Sequence, residues 1–541
     1  MHVREDSYAE NDRSEVATLP TPLYLRGRVV YPLLALLYPV GLFLLIRAPR
    51  PRRAWKVVSA AALLPVFVLV VLIVLKPYWR FGGYMRGVAD FSLDIDSLLN
   101  NPDGRLEAHR QAQAAGESPV LVNDVAELSW TDFRGPGRDG VCRNETISLD
   151  WQADPPRELW RQPVGGGYAS FVVAGGRAYT IEQRRKQEAV TCYEVASGRE
   201  VWAFAYDASF EETLGGNGPR ATPTYHDGFI FALGAQGHFH CLTADTGEVV
   251  WETDLLDGGA IPNLDWGLSG SPLVVDDLVI VTHSGKADPS IFAFDFRTGA
   301  KRWATAGSQG YSSPVLETIC GVRQVLNLGG TELRSLDPST GKVLWRHPWD
   351  TFMWINASQP LPIGGDRVFL SAGYGHGASV VQVTRDGDAW KTEEVWALVR
   401  SMQNKFSSSV IYQGHAYGLD EAILCCVDLA TGERKWRSGR YNFGSVLLVN
   451  DHLLVLSEDG RLALIKAQPT EREEIGSVEI LEGRTWNNFV VVGGLLLARN
   501  DRWMVCYDLR PSPRQPTTAK VARGRGVDQP VGLAASLLAN K

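Results

Sequence analysis

The chain has 541 residues, 45% of them hydrophobic and 21% charged, with 54 Gly, 17 Trp and a formal net charge of -7. That composition excludes disordered and fibrous classes, and the acidic balance gives no reason to expect a nucleic-acid partner. Length alone would allow several domains, but a single large repeat architecture can absorb most of it.

In chain order, residues 1–28 are polar and acidic (Glu5, Asp6, Glu10, Asp12, Glu15) and read as a flexible tail. Two uncharged apolar runs follow, Val29 to Ile46 and Val57 to Leu75. Each approaches the roughly 20 residues that cross a bilayer, so residues 29–75 are expected to form a two-helix membrane anchor. Pro32, Pro39 and Pro65 are tolerated in membrane helices. The intervening loop carries Arg47, Arg50, Arg52, Arg53 and Lys56, which places it in the cytoplasm and both ends of the anchor outside. Arg26, Arg28, Lys76 and Arg80 weaken that charge bias. A cleaved signal peptide fits poorly behind a long acidic tail and ahead of a second apolar run. Residues 76–129 read as a short helix and a stalk.

From residue 130 onward one phrase keeps returning: Cys192 to Trp202 (CYEVASGREVW), Cys241 to Trp251 (CLTADTGEVVW), Ala293 to Trp303, Ser335 to Trp345 and Cys426 to Trp436. In each, a Gly stands four residues before a Trp. An apolar strand enters a tight turn whose Gly tolerates positive φ, and a second strand leaves carrying the aromatic. A strand-turn-strand unit recurring about every 40–50 residues predicts a β-propeller with one unit per blade. Weaker copies lie at Val380 to Trp396 and Leu462 to Val478. A last copy, Cys506 to Leu509, has no outer strand, because Pro511, Pro513 and Pro516 follow. Glu158-Leu159-Trp160-Arg161 is an orphan outer strand with its own Trp, and pairing the two closes the ring. The expected fold is all-β: an eight-bladed propeller over 130–511, preceded by two transmembrane α-helices. A disordered C-terminal tail over 512–541 follows it. The repeat tryptophans Trp160, Trp202, Trp251, Trp303, Trp345, Trp396 and Trp436 are expected to wedge blade against blade.

A small residue, apolar-Asp, Thr-Gly and then Trp resembles the tryptophan-docking repeat of pyrroloquinoline-quinone (PQQ) propellers. Gly267-Leu268-Ser269-Gly270-Ser271-Pro272 and Trp130 to Pro136 (WTDFRGP) resemble the BamB-like, PQQ-like repeat branch of that family. The resemblance spans roughly 130–510 and implies one of two activities. One is a cofactor-free scaffold in envelope protein assembly. The other is a quinoprotein dehydrogenase using PQQ and Ca²⁺ on alcohols or sugars.

Innermost strands are expected near 168–174, 220–225, 269–275, 311–316, 356–362, 406–412, 444–449 and 486–492. The Thr-Gly turns should project from one face. The opposite face should gather the inter-blade connections and, around the channel mouth, Arg220, Asp265, Trp266, Tyr311, Trp354, Asn356, His376, Lys405, Tyr441 and Trp486. Loops on a rigid ring commonly carry binding residues, and Trp, Tyr and Arg anchor interfaces. The same residues could instead plug the mouth and cap strand ends.

No catalytic residue and no metal site is expected. His238-Phe239-His240 puts two imidazoles on one strand face, but no third ligand is identifiable and they read as surface histidines. Cys192, Cys241, Cys426 and Cys506 share one small-residue slot of the repeat and are expected to be free thiols. A bond between Cys142 and Cys320 is left open. Cys425-Cys426 lies inside a strand, where successive side chains point to opposite faces, and not in a loop over the channel. Quinoprotein chemistry would need an Asp base, Ca²⁺ ligands and an aromatic floor; Asp265, Asn356 and Trp486 are suitable residue types, but no motif ties them to those roles. The expectation is therefore a propeller on the periplasmic side of a bacterial inner membrane. It would bind the membrane and other envelope proteins, without a cofactor.

Overall fold

The structure is a computed structural model. It describes residue 68 and residues 79–85, 88–93, 102–113, 125–283, 289–307 and 310–512. The two expected membrane helices and the C-terminal tail lie outside the described residues, apart from Val68 and Ser512. Among the described residues no helix is long and apolar enough to cross a membrane.

Eight antiparallel sheets form an eight-bladed propeller. The inner strands are Val172–Ala174, Thr224–His226, Leu273–Val275, Val315–Ile319, Leu361–Gly364, Val410–Tyr412, Ser445–Val449 and Val490–Val492, for blades 1 to 8. Each expected inner segment contains or overlaps one of these. The strands themselves mostly begin about four residues later, because the first residues are an extended lead-in. Blade 8 takes its fourth strand from the front of the domain: Arg157–Pro163 pairs with Trp503–Asp508, with Cys506 opposite Trp160 and Tyr507 opposite Glu158. The orphan strands read from the sequence therefore close the ring. Glu158 seals the join by accepting from Tyr507 Oη at 2.7 Å and from Arg161 at 2.6 Å.

The repeated phrase has a local physical logic. In blades 3, 4 and 6 its Asp accepts the backbone N–H of the Thr at 2.9–3.0 Å and the same Thr's hydroxyl. That cup holds the turn, and the following Gly sits at positive φ, as Gly299 does at 71°. The small slot residue lies directly opposite the Trp: Cys192 faces Trp202, Cys241 faces Trp251 and Ala293 faces Trp303. A bulge beside that pair re-aims the indole toward the next blade. There Trp251 Nε1 donates to Phe296 O at 2.9 Å, and a Cβ on Gly299 would stand 2.7 Å from its ring. Trp160, Trp202, Trp303 and Trp396 repeat the bond to the next blade's backbone at 2.8–2.9 Å. Slot and Gly must be small because one tryptophan fills both spaces.

Two blades depart from the rule. Blade 5 extends its outer strands, Gly377–Asp386 and Ala389–Val399, into a long hairpin without a Thr-Gly turn. Trp345 accordingly donates to Gln324 Oε1 at 2.6 Å instead. Blade 7 has Gly476 where the Trp would stand, and Trp151 from the N-terminal segment covers it: a Cβ on Gly476 would lie 2.7 Å from Trp151 Cβ.

The helix Pro102–Gln113 lies along the seam between blades 8 and 1. Asp103 accepts from Arg185 N, Arg105 stacks on Trp503, and Arg110 pairs with Glu200 at 2.8 Å. It runs from the face of the inter-blade connections toward the face of the Thr-Gly turns. The chain re-enters on that second face, with Val125 against Gly176 and Leu128 against Gly493.

Candidate functional site

From that face residues 129–142 descend into the central channel and plug it. Ser129–Trp130 adds to the inner strand of blade 1, and Val141–Cys142 adds in parallel to that of blade 7. Between them Tyr225 N donates to Thr131 O at 2.9 Å in blade 2. Arg138 donates to Pro272 O at 2.8 Å in blade 3, and Arg134 to Ser409 O at 2.7 Å in blade 6. Both arginines are buried, 2% and 3% exposed. Burial pulls the Arg134 guanidinium down to about 10, because carbonyls rather than carboxylates receive its hydrogen bonds. The segment noted only for its family likeness, Trp130 to Pro136, is thus the start of a channel plug.

Below the plug the lead-ins interlock. Ser170 N donates to Thr222 Oγ1, Thr222 N to Ser271 Oγ and Ser271 N to Ser313 Oγ, at 2.9–3.0 Å. Gln359 N donates to Ser408 Oγ at 3.0 Å, and Asn487 Nδ2 bonds the carbonyls of Gly167 and Ala169 from blade 8 to blade 1. These bonds bind the blades at the channel and hold the connections beneath them.

Those connections carry a continuous arc of rings and cations at the opposite mouth. Tyr168 lies 5.5 Å from Trp486, and Trp486 4.9 Å from Phe406 and 6.2 Å from Phe443. Arg484 stacks on Trp486 at 4.5 Å, and Arg220 is held between Tyr168 and Phe210 at 5.6 and 4.6 Å. Lys405 pairs with Glu421 at 2.6 Å with its ammonium over Phe443 and Tyr374. Glu458, whose pKa burial raises, accepts from Trp486 Nε1 at 2.9 Å and fixes the indole. Trp266 and Tyr311 form a separate edge-to-face pair at 5.8 Å.

The arc ends at an exposed knuckle. Phe352–Trp354 forms a short 3-10 turn in which Met353 and Trp354 hold φ of 51° and 57°. Non-glycine residues adopt that region at a cost of about 1–3 kcal/mol each. The result holds Phe352 61%, Met353 54% and Trp354 48% exposed. Phe352 approaches Tyr374 at 6.3 Å.

Of the residues selected from sequence, the arc brings Arg220, Lys405 and Trp486 together, with Trp266 and Tyr311 alongside and Trp354 on the knuckle. Asp265 is on an exposed loop. His376 packs on Trp349 at 4.2 Å, and burial lowers its pKa. Asn356 is buried, accepting from Trp349 and donating to Gly329 O. Tyr441 is buried between blades 6 and 7, donating to Glu474 at 2.9 Å. Sequence reasoning missed Tyr168, Phe210, Phe352, Met353, Tyr374, Phe406, Phe443 and Arg484. One signal was present: Tyr168, Arg220, Tyr311, Phe406 and Trp486 each stand four residues before an inner strand, which begins at Val172, Thr224, Val315, Val410 and Val490.

A quinone with its Ca²⁺ does not fit these side chains. Asn356 is committed to Trp349 and Gly329, Asp265 is on an exposed loop, and Trp486 is packed within the arc. Among the described residues no three His, Cys, Asp or Glu side chains converge as metal ligands. Cys425 and Cys426 are buried free thiols facing different blade interfaces. Cys142 and Cys320 are also free. His240 corrects the surface reading: it is 3% exposed beneath Phe204 and Tyr206, because blade 1's outer strand covers it.

Residues 186–438 match the family described as outer membrane protein assembly factor BamB. A curated protein of that name from Bordetella pertussis (strain Tohama I) is 25% identical over 196 residues, 35% of this chain and 44% of the relative. The chain thus spans less than half the length of that relative. Quinohemoprotein alcohol dehydrogenase from Comamonas testosteroni aligns at a TM-score of 0.53 and 12% identity, covering 79% of this chain and 87% of its own. BamB from Moraxella catarrhalis aligns at a TM-score of 0.47 and 15% identity, covering 65% and 99%. At such identities the likeness to the solved structures is one of fold. Over residues 186–438 this eight-bladed propeller is thus similar to the PQQ-like repeat propellers of the BamB-like branch.

Proposed function

We propose that this propeller is a non-catalytic binding scaffold, anchored in a bacterial inner membrane and facing the periplasm. Its connection face engages another envelope protein during protein assembly. The observation that carries the reading is the arc from Arg220 to Lys405, ending in the exposed Phe352-Met353-Trp354 knuckle. Rigid aromatic and cationic anchors beside strained, outward-facing apolar residues are the composition of an interaction hot spot. The name of the matched relative, an outer membrane protein assembly factor, supports the same setting. The helix Pro102–Gln113 begins on the connection side, so an anchor ahead of it would approach that face.

A photo-crosslinker at Phe352 or Arg484 tests this, with the exposed Val249, beside a Thr-Gly turn on the opposite face, as the control position. The expected result is one recurrent partner from the first two positions, with capture reduced by Trp354→Ala. Stoichiometric binding of PQQ and Ca²⁺ with turnover of alcohols or sugars would instead establish the dehydrogenase reading.

A further inference from the structure

We propose a second docking site on the opposite face, where an extended peptide of a partner protein adds to the inner strand of blade 4. The plug shows how this channel reads extended chain. Ser129–Trp130 and Val141–Cys142 each pair with an inner-strand edge, in blades 1 and 7, and Thr131 O takes an edge N–H of blade 2. The plug also reaches blades 3 and 6 through Arg138 and Arg134. Along blades 4 and 5 the inner strands have a strand neighbour on one side only. Between them and the plug lies a cavity of about 510 Å³, within the range of ligand pockets.

The cavity has the features that strand addition requires. One wall is apolar, from Leu316, Pro362, Ile363, Ile411 and Tyr412, and Arg138 of the plug forms part of the other. An added strand would present alternate side chains to that wall while its backbone pairs with the edge. Pro362 has no N–H, so blade 5 offers a poor edge and pairing falls to Val315–Ile319. There the Thr318 N–H is already held by a carboxylate, Glu317 Oε1 at 2.8 Å, in place of a strand partner. Arg138 and Arg143 are balanced by Asp139 and Glu317 around the rim, so the occupant is selected by apolar alternation rather than charge.

A display library of random twelve-residue peptides, panned on the full chain in detergent, tests this. Binders lost on Ile411→Asp or Leu316→Asp are retained, and these are resynthesised with alternate amides N-methylated. Thermal unfolding of both variants confirms that they fold, and Tyr412→Ser gives a milder probe of the same wall. The expected outcome is enrichment of alternating apolar sequences, a loss of about tenfold or more on N-methylation, and no change with Trp354→Ala. Failure to enrich pocket-dependent peptides, or binding indifferent to N-methylation, overturns the inference. Loss of binding with Trp354→Ala would place the peptide on the connection face and overturn it equally.

Discussion

Replacing Trp251 tests the principle that builds the ring. Its indole is 9% exposed, lies 5.3–6.1 Å from the rings of Phe239, Phe231 and Phe294, and donates to Phe296 O in the next blade. Burying a tryptophan removes about 200–250 Å² from water, about 5–6 kcal/mol at 25 cal/mol/Å². Partial collapse of the cavity brings the expected cost of Trp251→Ala to about 3–5 kcal/mol. Trp251→Phe keeps most of the apolar contact but leaves the buried Phe296 carbonyl only the weak Cys241 thiol donor at 3.7 Å, an expected cost of about 1–2 kcal/mol. Trp354→Ala is the control: that residue is 48% exposed, and the change should stay within about 0.5 kcal/mol. Urea unfolding followed by circular dichroism measures all three, with hydrogen exchange to locate the loss between blades 2 and 3. If Trp251→Ala costs no more than Trp354→Ala, the tryptophans do not lock the blades and the account of the repeat fails.

Burial holds the His240 pKa down to about 4, so below about pH 6.5 the unfolded chain binds a proton the folded one refuses. That contribution, about 3 kcal/mol, is fully present above about pH 6.5 and lost as pH falls toward about 4; His240→Phe should flatten the profile of urea midpoints. Arg499, 0% exposed in blade 8, donates to Thr180 and to the carbonyls of Ile181 and Gly165 across the seam. Arg499→Met should therefore raise amide exchange in Arg157–Pro163 before other outer strands, and uniform exchange would count against a weak seam. Of the seven cysteines only Cys320 is partly exposed, so native maleimide labelling should modify one thiol and denatured labelling all seven. Modification of Cys142 in the native protein would show that the plug leaves the channel.

The sequence by itself determined the ring. Its strand-turn-strand phrase is local, so Asp cup, left-handed Gly, small slot and Trp recur wherever a blade recurs. The mismatch between a missing last strand and an orphan first one then specified closure. What lay beyond it was the path of unrepeated chain: residues 129–142 crossing the channel, and Trp151 standing in at Gly476. Such contacts join residues hundreds of positions apart, and no period marks them. The connection face was half legible, since the position four before an inner strand showed Arg220, Tyr311 and Trp486. Only the assembled ring brought Tyr168, Phe406 and Phe443 beside them. It also turned Asn356 and Tyr441 inward and left Phe352 and Trp354 outside, because which way a loop residue faces depends on how neighbouring blades pack against it.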